Sequence, residues 1–180
     1  MNPSIASVAE HIFRAASPYD PDRTGTGGQP VGYDLLANQY YHYCVIGSRI
    51  RCQFQNNGTS NQIPGYAGII LTPAADALPD TIQILQQPDM SLRGRMLPAF
   101  SSGTQNIIYH SFSAKKFFGP RFSPTNPDFG AAVNAVPNEE AYFRVFYGNI
   151  GGNDPGNVTV LVTIDYICLF TERRILPSDI

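Results

Sequence analysis

Charge is scarce in this chain. Only 14% of its 180 residues are Asp, Glu, Lys or Arg, against roughly 25% in an ordinary soluble domain. Lysine occurs twice, at Lys115 and Lys116, and glutamate four times. These are residue types depleted where surface is buried against a partner. The shortage therefore points either to a subunit inside an assembly or to a neutral monomer kept soluble by Asn, Gln, Ser and Thr. A net charge of −2 with no basic run longer than two excludes the usual strongly basic nucleic-acid binder.

Cysteine is equally sparse. Cys44, Cys52 and Cys168 make no disulfide framework. Cys44 and Cys52 are eight residues apart on one predicted strand, about 26 Å at strand rise, too far to bridge. All three alternate in phase with apolar neighbours, as small buried hydrophobes do. No window approaches the ~20 apolar residues of a membrane-spanning helix, and the first residues lack a charged-then-apolar signal segment. The expectation is no membrane insertion and a reducing compartment.

Catalytic patterns are missing too. His11, His42 and His110 are isolated in the sequence, none with a His, Cys or carboxylate at a metal-ligand spacing. There is no nucleophile elbow, no phosphate-binding Gly-x-x-x-x-Gly-Lys and no Cys-x-x-Cys. Gly25-Thr26-Gly27-Gly28 precedes Pro30 and reads as linker. Asp20 and Asp22 invite a Ca²⁺ reading, but a lone Asp-x-Asp more often marks a solvated turn. Asn57-Gly58-Thr59 and Asn157-Val158-Thr159 match the glycosylation sequon and are better explained as a hairpin turn and a strand start. Adjacent Glu139 and Glu140 point to opposite faces of a strand. The expectation is no enzyme, no catalytic residue, no metal and no cofactor.

What the chain does have is period-two alternation. Over 157–171, Val158, Val160, Val162, Ile164, Tyr166, Cys168 and Phe170 share one face, with Thr159, Thr163, Asp165 and Thr171 on the other. That predicts a long strand. A second spans 43–55, with Cys44, Ile46, Ile50, Cys52 and Phe54 inward and Val45, Arg49, Arg51, Gln53 and Gln55 outward. A third, 140–148, turns Ala141, Phe143, Val145 and Tyr147 inward. Shorter candidates are 66–72, 94–100 and 106–113. Helical signals are few: 35–42 capped by Asp34, and 77–87 with Leu78, Ile82 and Leu85. Residues 8–15 fit either period, with periodicity slightly preferring helix. Pro and Gly sit between the periodic segments, as in sandwiches and barrels. The long stretch 119–138 is either functional or hides a short strand. The fold expected is all-β, a single jelly roll of about eight strands in a two-sheet antiparallel sandwich with short helices in loops. One domain covers 1–180, with 1–27 as an N-terminal segment holding the first strand and the Gly-rich linker.

Basic residues are few and scattered. Arg49 and Arg51 share the polar face of 43–55, and Lys115 and Lys116 end the 106–113 strand. Together they are candidate polyanion contacts, against the plainer reading of solvated pairs. Aromatic residues near loops are candidate contact anchors between subunits: Tyr33, Tyr40, Tyr41, Phe117, Phe118, Phe122 and Phe129. Each is alternatively a core residue.

The order of motifs adds a resemblance. Gln29, Pro30, Gly32 and Asp34 form a turn before a Tyr-rich segment, Tyr40 and Tyr43, and the strand signature Val45, Gly47, Ser48, Arg49, Ile50. Lys115-Lys116-Phe117-Phe118-Gly119 and Thr163-Ile164-Asp165-Tyr166 follow in turn. This succession resembles the capsid proteins of circovirus-like, Rep-encoding single-stranded DNA (CRESS-DNA) viruses. The resemblance implies a coat protein that self-assembles into a small icosahedral, T=1 shell around circular single-stranded DNA. Its place would be the virion, with assembly in the host nucleus or cytoplasm. It also implies that residues about 7–15 form the first strand, with 157–171 beside it and 43–55 in the other sheet. Loops 57–65, 72–90 and 119–138 would build symmetry contacts. The family's Arg-rich N-terminal arm has no counterpart after Met1, and the expectation is a truncated form assembling into empty particles. The sequence names no host receptor. The alternative from another class is a trimeric jelly-roll module that binds carbohydrate or a receptor.

Overall fold

Strands form where apolar and polar residues alternate, and they account for nearly all regular structure in the computed structural model. It describes residues 1, 8–56, 64–79, 81–86, 91–98, 106–149 and 156–175. In chain order these are β1 (Ala9–Arg14), α1 (Tyr33–Ala37), β2 (Tyr40–Asn56), β3 (Gly65–Thr72), α2 (Thr81–Gln86) and β4 (Ser91–Leu97). There follow β5 (Asn106–Ser113), α3 (Ala114–Phe118), a 3₁₀ turn at Gly119–Arg121, β6 (Gly130–Ala132), β7 (Tyr142–Asn149) and β8 (Val158–Arg173). One four-stranded sheet runs β1-β7-β3-β4. The other runs β5-β2-β6, with β8 also paired to β2. Two antiparallel sheets of four strands each make the all-β jelly roll.

The chain divides into two compact units. The first comprises Met1–Ile12, Ile50–His110 and Phe143–Ile164; the second comprises Phe13–Arg49, Ser111–Tyr142 and Asp165–Ile180.

In the first unit, β3 and β4 pair antiparallel from Gly65 opposite Leu97 to Leu71 opposite Ser91. Ile70, Ile84 and Phe146 form a buried cluster, with Val8, Tyr66, Leu78 and Leu92 packed against it. Glycines make room for aromatic rings here. A Cβ on Gly68 would lie 2.6 Å from Cε1 of Phe146, and one on Gly94 would lie 2.5 Å from Cε1 of Tyr66. The close approach, not backbone freedom, requires glycine at these two sites. Arg144 on β7 is buried; its guanidinium donates to Glu10 Oε2 at 2.6 and 3.2 Å.

In the second unit, β6 pairs with β2 through Tyr43 opposite Ala131. Tyr43 is buried, donates its hydroxyl to Ala135 O at 2.8 Å, and lies 2.8 Å from Ser17 Oγ. Tyr33 donates to Val133 O, and Tyr166 to Arg14 O. Burial raises the pKa values of all three phenols well above the ordinary tyrosine value. Arg14 bridges Asp20 and Glu140, each at 2.7 Å, and Glu140 also accepts from the Tyr142 hydroxyl.

Several expectations need correction. Ala9–Arg14 form β1, as the resemblance implied and against the slight helical preference of the periodicity, because β1 finds a ladder partner in β7. β8 pairs with β2 and not with β1. The helix expected over 35–42 is a five-residue turn over 33–37. Gly32 stands at its N-cap with φ 84°, while Asp34 lies within the first turn. Ile46 is exposed and Val45 buried, the reverse of the expected phase. On β2, Tyr43, Cys44 and Val45 are all buried, so both faces are covered there, whereas Ile50, Cys52 and Phe54 alternate as one buried face after Ser48. These two halves of the strand belong to different compact units. The helix expected over 77–87 is α2, and Leu78 precedes it. The hairpin turn at Asn57-Gly58 and residues 99–100 lie outside the described residues. β6 is the short strand hidden in 119–138.

Candidate functional site

The second unit holds a concave site built from four segments, one of them β6 with Gly130, Ala131 and Ala132. β2 contributes His42, Tyr43 and Cys44; the turn before β6 contributes Pro124, Thr125, Asn126 and Pro127; the end of β8 contributes Thr171 and Glu172. The cavity measures about 460 Å³. His42 Nδ1 stands 3.2 Å from Glu172 Oε2, with both side chains largely in solvent. Glu172 has φ 58° and is the one non-glycine with a positive φ among the described residues, a backbone state of the kind that gathers at functional sites. Cys44 Sγ donates to Phe129 O at 3.5 Å.

Sequence reasoning treated His42 as isolated, since its partner carboxylate comes from a strand 130 positions away. No local spacing signals such a pair. Two groups, one neutral or cationic and one anionic, can orient a small polar ligand. They are too few to cage a metal, and no group of three or more metal-ligating side chains occurs among the described residues. The Asp-x-Asp pair is otherwise engaged: Asp20 binds Arg14, and Asp22 Oδ1 accepts from Thr24 N and Oγ1.

The candidate polyanion contacts sit on separate elements. Arg49 is exposed and Arg51 half-buried on β2, and Arg51 donates to Gln53 Oε1 at 3.3 Å. Lys115 and Lys116 are exposed on α3.

The candidate interface aromatics fall into two rosettes inside the second unit. Phe117, Phe118, Phe122 and Phe129 pack on one another and around Phe112, with centroids 4.8–6.5 Å apart. Such stacked and edge-on pairs stabilise by ~0.5–1.5 kcal/mol each beyond area. Tyr33 and Tyr40 pack against Phe170. Tyr33 and Phe129 are buried, which fits the alternative reading of them as core residues. Tyr41 is half exposed and lies under the Arg174 guanidinium, 4.7 Å from its ring centroid. The three thiols are free; burial pushes Cys52 and Cys168 up to about 12 and raises Cys44. They are inert small hydrophobes and no nucleophile.

No family model matches the chain, and no curated protein matches it. Among solved structures it is similar to that of Cocksfoot mottle virus, at 16% identity and TM-score 0.46, covering 96% of this chain and 89% of that one. The Desmodium yellow mottle tymovirus structure stands at 11% identity and TM-score 0.42, covering 96% and 91%. A T=1 subviral particle of a Penaeus vannamei nodavirus capsid deletion mutant stands at 10% and 0.43, covering 95% and 94%. Likenesses this distant add neither fold nor function to what the strands themselves establish.

Proposed function

We propose that this chain is a viral capsid protein whose copies assemble into a small icosahedral shell, and that it is no enzyme. The observation that carries the reading is a jelly roll poor in ions that nevertheless holds large apolar side chains in water. Val31, Leu35, Leu161, Ile167 and Ile175 are each more than half exposed. Exposed apolar surface on a charge-poor protein marks a place where another molecule belongs. Many modest contacts of one kind add up through closure of a symmetric shell. The ordered motifs through residues 29–50 and 115–119 support the finer reading: a circovirus-like, T=1 particle formed by a single domain over 1–180. Its genome would be circular single-stranded DNA. Arg49, Arg51, Lys115 and Lys116 offer little positive charge for counterion release at a polyanion.

The test is light scattering and negative-stain microscopy of the purified chain. Closed particles are expected, with little nucleic-acid absorbance at near-physiological salt. A lone monomer at high concentration refutes the shell. A stable trimer with a sugar or receptor fragment in the His42–Glu172 cavity would favour the binding-module reading, for which that cavity is the supporting observation.

A further inference from the structure

We propose that the His42–Glu172 cavity receives a lysine of a second copy of this chain, drawn from the Lys115–Lys116 pair on α3. The inference rests on the self-assembly reading above and names one of its contacts.

Glu172 gives the cavity its sign. Its carboxylate is the only fully charged group in the lining, and the side chain is 67% exposed. Oε2 stands 3.2 Å from His42 Nδ1, and the side chain makes no other hydrogen bond or ion pair among the described residues. The imidazole thus orients the carboxylate and leaves Oε1 open to a further donor. The backbone beneath holds a left-handed φ of 58°, a state that persists only where the surroundings over-determine it. Asp34, Asp128 and Asp165 are exposed carboxylates of the same unit, but they do not line this cavity. A hollow with one fixed negative charge repels carboxylates and phosphates and selects a cation.

The remaining lining suits an ammonium on an apolar stem. A lysine head has three donors and no acceptor. Thr125 and Thr171 carry hydroxyl oxygens in the lining, and Pro124 and Pro127 carry apolar rings. Such walls cover methylene groups while the charged head meets oxygen. The volume of about 460 Å³ falls within the range of ligand pockets, roughly 300–1,000 Å³.

The chain itself supplies the cation. Its two lysines stand side by side on α3, both exposed, and neither has an ion pair among the described residues. Other cations of the unit are already engaged: Arg14 holds Asp20 and Glu140, and Arg121 faces Glu139 at 3.8 Å. Within one copy the lysines and Glu172 do not meet. Between copies an open ammonium and an open carboxylate complement each other. The placement of α3 also favours docking. Phe117 and Phe118 pack on each other, and Phe118 packs on Phe122 and Phe129, which bracket the Pro124–Pro127 turn. Lysines and cavity wall rest on one packed cluster, so little must be ordered when they dock. Every copy carries both the donor and the receiving patch, as a repeating contact requires.

The experiment assembles the native full chain from equal amounts of unlabelled and isotope-labelled copies. A zero-length carbodiimide then joins carboxylates to amines in contact, and mass spectrometry reads the linked peptides. Glu172 should be joined to Lys115 or Lys116 in peptide pairs that mix the two labels. The same link found only within one label overturns the contact, because the lysine then comes from its own copy. Particles without the link overturn the contact and leave the shell reading intact. A monomer by light scattering overturns both. Charge exchange gives a second arm, on side chains that are all exposed and so tolerate substitution. Glu172→Lys should weaken self-association roughly tenfold or more through like-charge repulsion. Adding Lys115→Glu and Lys116→Glu should restore it. No loss with the first change, or no recovery with the others, also overturns the contact.

Discussion

Glu10 and Arg144 give the sharpest test of how the first unit is held. Arg144 is 4% exposed and its guanidinium donates two hydrogen bonds to Oε2 of Glu10. Replacing Glu10 with Ala leaves a buried cation without its counter-charge. Removing one partner of a buried pair costs about 3–5 kcal/mol. The Glu10 side chain is 23% exposed, so water reaches the gap and about 2–4 kcal/mol is the better expectation. Arg144→Met is milder at ~1–2 kcal/mol, because the carboxylate left behind sits nearer solvent. The double variant Glu10→Leu with Arg144→Met should recover much of the loss, since a buried pair replaced by apolar residues of similar volume is often neutral. The assay is urea unfolding followed by circular dichroism. With a slope of ~2 kcal/mol per molar, a 3 kcal/mol loss moves the midpoint by ~1.5 M. Repeating it at two protein concentrations separates subunit stability from association. A midpoint shift below ~0.5 M for Glu10→Ala, or a double variant no better than that single, would refute the reasoning.

Gly68→Ala should destabilise by ~1–3 kcal/mol through overpacking, because the new Cβ meets the Phe146 ring and Leu92 Cδ1 at 3.2 Å and the ring is buried; a neutral unfolding midpoint would contradict this. Alkali should weaken the fold. Burial raises Cys52 and Cys168 to about 12 and lifts Tyr33, Tyr43 and Tyr166 in the same direction. The folded chain holds these protons more tightly than the unfolded one, so their contribution is intact below the ordinary thiol and phenol values. It is lost as pH rises through the folded ones. Unfolding midpoints should fall from about pH 9 toward pH 12, and a flat profile over that range would disprove it.

The alternation of β8 and the apolar content of β7 were legible because a strand's period of two writes itself directly into sequence. Burial of Cys44 and Cys52 and the extent of β5 followed from the same signal, while the short strand within 119–138 was one of two alternatives raised by the length of that stretch. Residues 8–15 fit two periods at once, and only the ladder to β7 decided between them. Ile46 defeated the pattern because β2 is buried on both faces at Tyr43, Cys44 and Val45, and alternation assumes one buried face throughout. The His42–Glu172 pair and the phenylalanine rosette of Phe112, Phe117, Phe118, Phe122 and Phe129 were invisible, since distance along the chain carries no information about distance in space.

Sequence by itself determined an all-β chain poor in ions, because hydrophobic period and composition are local properties. Which strand lies beside which, and hence that β8 pairs with β2, was decided only by tertiary structure. Backbone hydrogen bonds between strands are indifferent to side-chain identity, so the choice of neighbour is made by how the whole set of faces can be buried together.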